Sequence, residues 1–261
     1  LADIEAVAYD DTWVYIRTTG IPSHSIGPFL DGNPATLGDL DATYRITLHP
    51  AEQTATKTNT GLGSIGVMVN GSTIFNASDG TSWNQFTNQL QMGLGVWNTN
   101  ALWYRMSGMD DAGGHPAPGM GGGLGLYHYH RTPKGLLDEL DPGNTGEHHS
   151  PLIGFAFDGF PVYGPYAYAN GVDDSTGIIA MTSSYRVGPA SVRGATGPSV
   201  ASYAMGSFIQ DFIYVAGSGT LNEYNMAYAV TPEYPSGTWA YFCTEDHLGQ
   251  AGQTTLDGEV S

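Results

Sequence analysis

Apolar and polar residues alternate over short stretches separated by turn-forming residues, which predicts a chain built mainly of strands. Thr12-Trp-Val-Tyr-Ile-Arg-Thr18 and Thr43-Tyr-Arg-Ile-Thr-Leu48 are rich in β-branched and aromatic residues and read as strands. Two stretches have a helical period instead. After Ser82 as a cap, Trp83, Phe86 and Leu90 recur at i, i+3 and i+7 and predict a helix. Lys134 to Leu140 predicts a second, shorter one, opened by Thr132-Pro133 and stopped by Asp141-Pro142-Gly143. The segment 107–125 holds eight glycines and two prolines without periodicity, and reads as a loop. A second long connection is expected over 187–207, where Gly, Ser and Ala dominate.

An internal repeat organises the strands. Ile65-Gly-Val-Met-Val-Asn-Gly-Ser-Thr-Ile-Phe-Asn76 aligns with Ile153-Gly-Phe-Ala-Phe-Asp-Gly-Phe-Pro-Val-Tyr-Gly164 at an offset of 88 residues. Both copies read as strand, Asn-Gly or Asp-Gly turn, strand, the signature of a type I′ hairpin. Gly125-Leu-Tyr-His-Tyr-His130 matches Gly237-Thr-Trp-Ala-Tyr-Phe242 in its aromatic pattern. The order hairpin, long loop, aromatic strand therefore occurs twice. The expected fold is a mainly β single domain of two related hairpin-containing units, with short helices and long loops. No linker divides residues 1–261.

Composition narrows the partners. The chain has 261 residues, 25 acidic against 8 basic, for a formal charge of −17, and only Lys57 and Lys134 are lysines. Such a surface repels phosphate, so nucleic acid and anionic membrane surfaces are poor partners. Hydrophobic residues make up 41 %, enough to fill a core and to exclude disorder. No apolar run approaches the ~20 residues that span a bilayer. Cys243 is the single cysteine, which excludes an intramolecular disulfide and any CxxC motif, and its apolar neighbours make it a packing residue. An acidic, lysine-poor, Tyr- and Gly-rich chain that begins at Leu1 fits a processed protein on the bacterial surface or in the periplasm.

Histidine supplies the candidate chemistry. Five of eight histidines fall between His115 and His149. In Tyr127-His128-Tyr129-His130, alternate side chains of a strand share a face, so the two imidazoles point together and the two phenols point oppositely. Such a pair can converge on one ion but cannot complete its shell. His115, across the glycine-rich loop, and His148 or His149, before the second hairpin, can close the set. Neutral imidazoles suit copper, zinc, nickel and iron alike. Met106, Met109 and Met120 bracket His115, and thioether sulfur tips the choice toward copper, although filling gaps is methionine's ordinary role. Acidic loops at Asp79, Asp110-Asp111, Asp141 and Asp173-Asp174 offer oxygen ligands for calcium, yet lack EF-hand spacing and are also common turn chemistry. Glu245-Asp246-His247 is equally ambiguous. Asp158 reads as a turn residue rather than a base, since its repeat counterpart is Asn70. GxSxG, Walker A and Rossmann signatures are absent.

Gly114-His115-Pro116, Tyr127-His-Tyr-His130 and His149-Ser-Pro-Leu-Ile-Gly-Phe-Ala-Phe-Asp-Gly-Phe-Pro-Val-Tyr-Gly-Pro165 together resemble the YHYH protein family of mostly secreted or lipid-anchored bacterial proteins. Leu221-Asn-Glu-Tyr-Asn225 and Thr231 to Phe242 carry the likeness further, over about residues 60–245, with 1–59 as N-terminal strands packed on that core. Some members have a second histidine-bearing strand near the C-terminus; here it reads Trp239-Ala-Tyr-Phe242. Ile21-Pro-Ser-His24 is similar to another family element. His115, His128, His130 and His149, the leading metal-ligand candidates from the histidine cluster, all fall inside the matching motifs, and His148 lies just outside. His24, His148, Met109 and Met120 rank below them.

The expected function is extracytoplasmic metal binding or storage, with copper favoured over zinc. A metal-dependent hydrolase or oxidase on the same site, and a calcium-stabilised structural or adhesive surface module, are the alternatives.

Overall fold

The computed structural model describes residues 3–29, 36–52, 57–93, 96–117 and 124–244. β1 (Ile4–Tyr9), β2 (Trp13–Thr18) and β3 (Ala42–Thr47) form an antiparallel sheet, with the two expected strands displaced by a single residue. Its Val14, Ile16 and Ile46 side chains pack on Val67 and Phe155 of the central sheet.

The first hairpin is β4 (Ser64–Met68) and β5 (Thr73–Phe75). β6 (Ser78–Asn84), β7 (Gln89–Met92) and β8 (Trp97–Asn100) follow as a separate three-stranded sheet, continued by α1 (Ala101–Tyr104). Then come β9 (Gly114–Pro116), β10 (Tyr127–Tyr129) and α2 (Lys134–Leu140). The second hairpin is β11 (Leu152–Ala156) and β12 (Pro161–Tyr163). β13 (Tyr166–Asn170) pairs with β14 (Asp173–Ala180), and β15 (Tyr185–Val187) with β16 (Phe212–Tyr214). β17 (Met226–Ala229) and β18 (Thr238–Phe242) end the described chain.

Eight strands make the central sheet, in the order β17-β18-β12-β11-β4-β5-β10-β9. This order reads the same from both edges once the repeat is applied. β11 and β4 meet antiparallel at the middle, each hairpin's second strand takes a parallel neighbour, and each of these takes an antiparallel edge strand. The register agrees with the sequence alignment residue by residue. Tyr129 lies opposite Ile74, and Tyr241 lies opposite Val162, its counterpart at the offset of 88. Tyr241 is thus the equivalent of Tyr129, and Ala240 and Phe242 stand where the first unit has His128 and His130. The two units close on one core that includes Met68, Ile74, Tyr127, Tyr129, Ile153 and Val162.

At the centre the strand backbones approach closely. A Cβ on Gly66 would stand 2.6 Å from the Phe155 carbonyl oxygen, and one on Gly154 would stand 2.6 Å from that of Val67. Gly66→Ala should therefore cost about 1–3 kcal/mol through backbone displacement in a packed core. A urea midpoint unchanged from wild type would show that this crossing is not tight.

Three expectations are corrected. The helix over 83–90 is the turn between β6 and β7. Trp83 pairs across the ladder with Leu90, the Asn84 Oδ1 accepts from the Phe86 and Thr87 amides, and Asn88 adopts φ +53°. Three apolar positions in eight residues fit a cross-strand pair plus an exposed turn residue as well as a helix face, and the asparagines decide for the turn. The hairpins are not type I′ either. Only Gly71 (φ +80°) and Gly159 (φ +94°) take left-handed values in them, while Asn70 and Asp158 do not. The Gly71 amide donates to Met68 and the Gly159 amide to Ala156, so each loop has three residues closed by a left-handed glycine. Finally, the glycine-rich 107–125 segment contains β9, because its Gly-His-Pro is held by β10.

The 187–207 connection is ordered around a buried cation. Arg193 makes a two-pronged pair with Asp211, each contact 2.7 Å, and donates to the carbonyls of Pro198, Tyr203 and Ala204. Among the described residues no helix is long and apolar enough to cross a membrane.

Candidate metal centre

β9 and β10 are antiparallel and set His115 directly opposite His128. Alternation along β10 then sends His128 and His130 to one face and Tyr127 and Tyr129 to the other. The imidazole centroids of His115 lie 4.6 Å from His128 and 5.4 Å from His130, and those of His128 and His130 are 4.7 Å apart. One ligand nitrogen from each of the three fits within a 4.8 Å group. All three rings are buried, 3–6 % exposed. Phe75, from β5, stacks on His128 at 3.9 Å.

Backbone carbonyls set the tautomers. The His128 Nδ1 lies 3.1 Å from the Leu126 oxygen and the His130 Nδ1 lies 2.6 Å from that of Asn76. A carbonyl only accepts, so both Nδ1 atoms carry the hydrogen and both Nε2 atoms present lone pairs. These two Nε2 atoms face each other at 3.0 Å. Burial, reinforced by the neighbouring imidazoles, holds His128 well below the ordinary histidine range. Burial and then His115 lower His130 to about 4. Two neutral nitrogens with opposed lone pairs repel unless a cation sits between them. Carbonyl-oriented imidazoles with free Nε2 atoms are also the usual arrangement of metal-binding histidines.

A pH dependence follows. Below the unfolded value of ~6.5 the unfolded chain binds protons that the buried rings refuse, so acid favours unfolding. Metal-free protein should lose up to ~1.4 kcal/mol per pH unit for each such histidine as pH falls from ~6.5 toward the folded-state value. Thermal midpoints measured between pH 7.5 and 4.5 test this, and a flat profile over that range would contradict it.

The opposite face of β10 anchors the site. The Tyr127 hydroxyl donates to Asp110 at 2.9 and 3.0 Å from its two oxygens. Asp110 also accepts from the amides of Ala112, Gly114 and Gly27. A Cβ on Gly114 would stand 2.5 Å from the Tyr127 ring, so only glycine fits before His115. Asp110 reads from sequence as turn or calcium chemistry, and its position five residues before His115 was the available clue to this clamp. Phe75 and the Asn76 and Leu126 carbonyls carry no comparable sequence signal.

The remaining candidates lie elsewhere. His24 is on the tyrosine face, where Tyr129, which accepts from Asn70, donates to the His24 Nε2. His149 is buried against Tyr163, Tyr168 and Phe242; its Nδ1 donates to the Ser150 carbonyl. His148 is exposed and pairs with Asp141 at 2.9 Å. Met109 packs with Ala101 and Leu102. Met120 and Glu245-Asp246-His247 lie outside the described residues. The acidic loops are engaged by protein donors: Asp79 by Arg105 and Thr99, Asp141 by His148 and Asn144, and Asp173 by Ser175. Among the described residues, the three histidines are the one group of three metal-ligating side chains brought together.

No curated protein and no solved structure matches the chain. The family model described as YHYH protein matches residues 43–250, from β3 through the last strand and beyond. With both YHYH histidines in the three-imidazole cluster and both YHYH tyrosines in the core beneath it, the chain belongs to the YHYH protein family.

Proposed function

We propose that this chain is an extracytoplasmic protein that binds or stores one transition-metal ion through the Nε2 atoms of His128 and His130 and an imidazole nitrogen of His115. The observation that carries this reading is the 3.0 Å approach of two acceptor nitrogens in a buried site. Copper, in its monovalent state, is favoured over zinc. The ligand set is neutral, and the cost of moving an ion into dry surroundings rises steeply with its charge. Thioether help from Met109 does not enter this preference, since that side chain fills a small apolar cluster.

Binding is favoured over catalysis because the three rings are buried, while cavities of about 280 and 460 Å³ open at other residues. A hydrolase or oxidase would need its metal's open position beside such a space. The acidic, lysine-poor composition supports the extracytoplasmic assignment. It would also raise the local concentration of cations. Elemental analysis of untagged protein, incubated with copper under reducing conditions and then desalted, should give close to one copper per chain. Zinc in preference to copper would correct the metal; neither ion bound would overturn the proposal.

A further inference from the structure

Beside the equivalent tyrosines Tyr129 and Tyr241, the two units differ in their neighbours. In the first, the hairpin residue Asn70 donates to the Tyr129 hydroxyl at 3.1 Å, and His24 from the N-terminal region caps that hydroxyl. Met68 fills the sheet face alongside. The second unit repeats the polar pair: the Tyr241 hydroxyl donates to Asp158, the counterpart of Asn70, at 2.7 Å. Where the first has Met68, the second has the much smaller Ala156. A cavity of about 280 Å³ lies there, with Ile65, Ile74, Ala156 and Phe157 as its apolar lining and Thr60, Ser64, Tyr241 and Asp158 as its polar lining.

We propose that this cavity is a binding site for a small organic cation, an alkylammonium group with a short apolar body. The ligand would take the place by Tyr241 and Asp158 that the His24 imidazole takes by Tyr129. Three features select that class. Substituting a carboxylate for the first unit's amide replaces a donor with an anion, which asks for a positively charged donor as partner. Asp158 retains capacity for one: Oδ2 accepts from Tyr241 and Oδ1 from the Phe160 amide, and a carboxylate has about four acceptor positions. Ile65, Ile74, Ala156 and Phe157 make part of the lining aliphatic and aromatic, which favours a hydrocarbon body over a hydrated ion such as sodium. The volume is small, at the lower edge of the ~300–1,000 Å³ of ordinary ligand pockets.

The test uses the full chain with isotope-labelled isoleucine and alanine methyls, titrated with n-butylammonium chloride against sodium chloride at equal ionic strength. Saturable shifts are expected at the methyls of Ile65, Ile74 and Ala156. Neutral n-butanol and the Asp158→Asn variant should each bind roughly tenfold more weakly, reporting the lost charge. Ala156→Met, which installs the first unit's residue, should abolish the shifts at Ile65 and Ile74. Absence of saturable shifts, or equal affinity for butanol and butylammonium, overturns the proposal. Should Ala156→Met fail to fold, Asp158→Asn decides alone, since it alters no packed apolar atom. Undiminished binding in that variant also refutes the site. None of these readouts depends on the metal.

Discussion

With His128 and His130 both replaced by alanine, the protein should emerge from metal loading with neither copper nor zinc, and wild type with about one ion. Each single replacement removes one of three protein ligands and should weaken binding by more than the ~10–100-fold typical of losing an outer partner of a ligand. The double variant should still fold. Its losses fall on the histidine face, and the core packed around Tyr127, Tyr129, Ile74 and Ile153 is untouched. Each buried ring deleted leaves a cavity that should cost about 2–5 kcal/mol, offset in part by relief of the opposed Nε2 lone pairs. A ligand-dependent melt separates folding from binding. Metal at a hundred times its dissociation constant should stabilise wild type by ~2.7 kcal/mol and the variant not at all. Stoichiometric metal in the double variant would move the site elsewhere.

Much of this arrangement is legible in the sequence. Period-two alternation alone puts His128 and His130 on one face and Tyr127 and Tyr129 on the other, and the structure keeps both pairs. The Asn-Gly and Asp-Gly turns of the repeat predict both hairpins, and the match of Tyr129 to Tyr241 agrees with the register of the two parallel neighbours, a pairing that only the structure shows. What local pattern cannot carry is contact made at long range. His115 reads as part of a loop because three residues between glycines and prolines show no period; pairing with β10 makes them a strand. The placement of His149 against Phe242 depends on how β18 lies beside β12, which no spacing within 115–149 reveals. Residues 83–90 fail for a related reason. A strand pair and one helical turn share the same short apolar signal, and Asn84 and Asn88 select between them through local hydrogen bonding and left-handed backbone.

Asp110 should matter to both stability and metal, although the Tyr127 hydroxyl it holds lies on the face of β10 opposite His128 and His130. Replacing it with alanine strands four donors: the Tyr127 hydroxyl and the amides of Gly27, Ala112 and Gly114. Burial raises the Tyr127 pKa, so the phenol keeps its proton and remains a donor in search of an acceptor. Removing a buried carboxylate from such a cluster should cost roughly 3–5 kcal/mol. The backbone it releases is the one that leads into His115, so metal affinity should fall about 10–100-fold, the size seen when the support of a ligand is lost. Tyr127→Phe separates the two effects. It removes one donor, leaves the three amide contacts in place, and should cost only ~1–2 kcal/mol with metal affinity nearly unchanged. A double-mutant cycle between these positions should give a coupling of ~0.5–3 kcal/mol. If Asp110→Ala unfolds more readily yet binds metal within twofold of wild type, the carboxylate holds only the fold. If affinity falls in Asp110→Ala and survives in Tyr127→Phe, the clamp on Ala112 and Gly114 is what brings His115 to the metal.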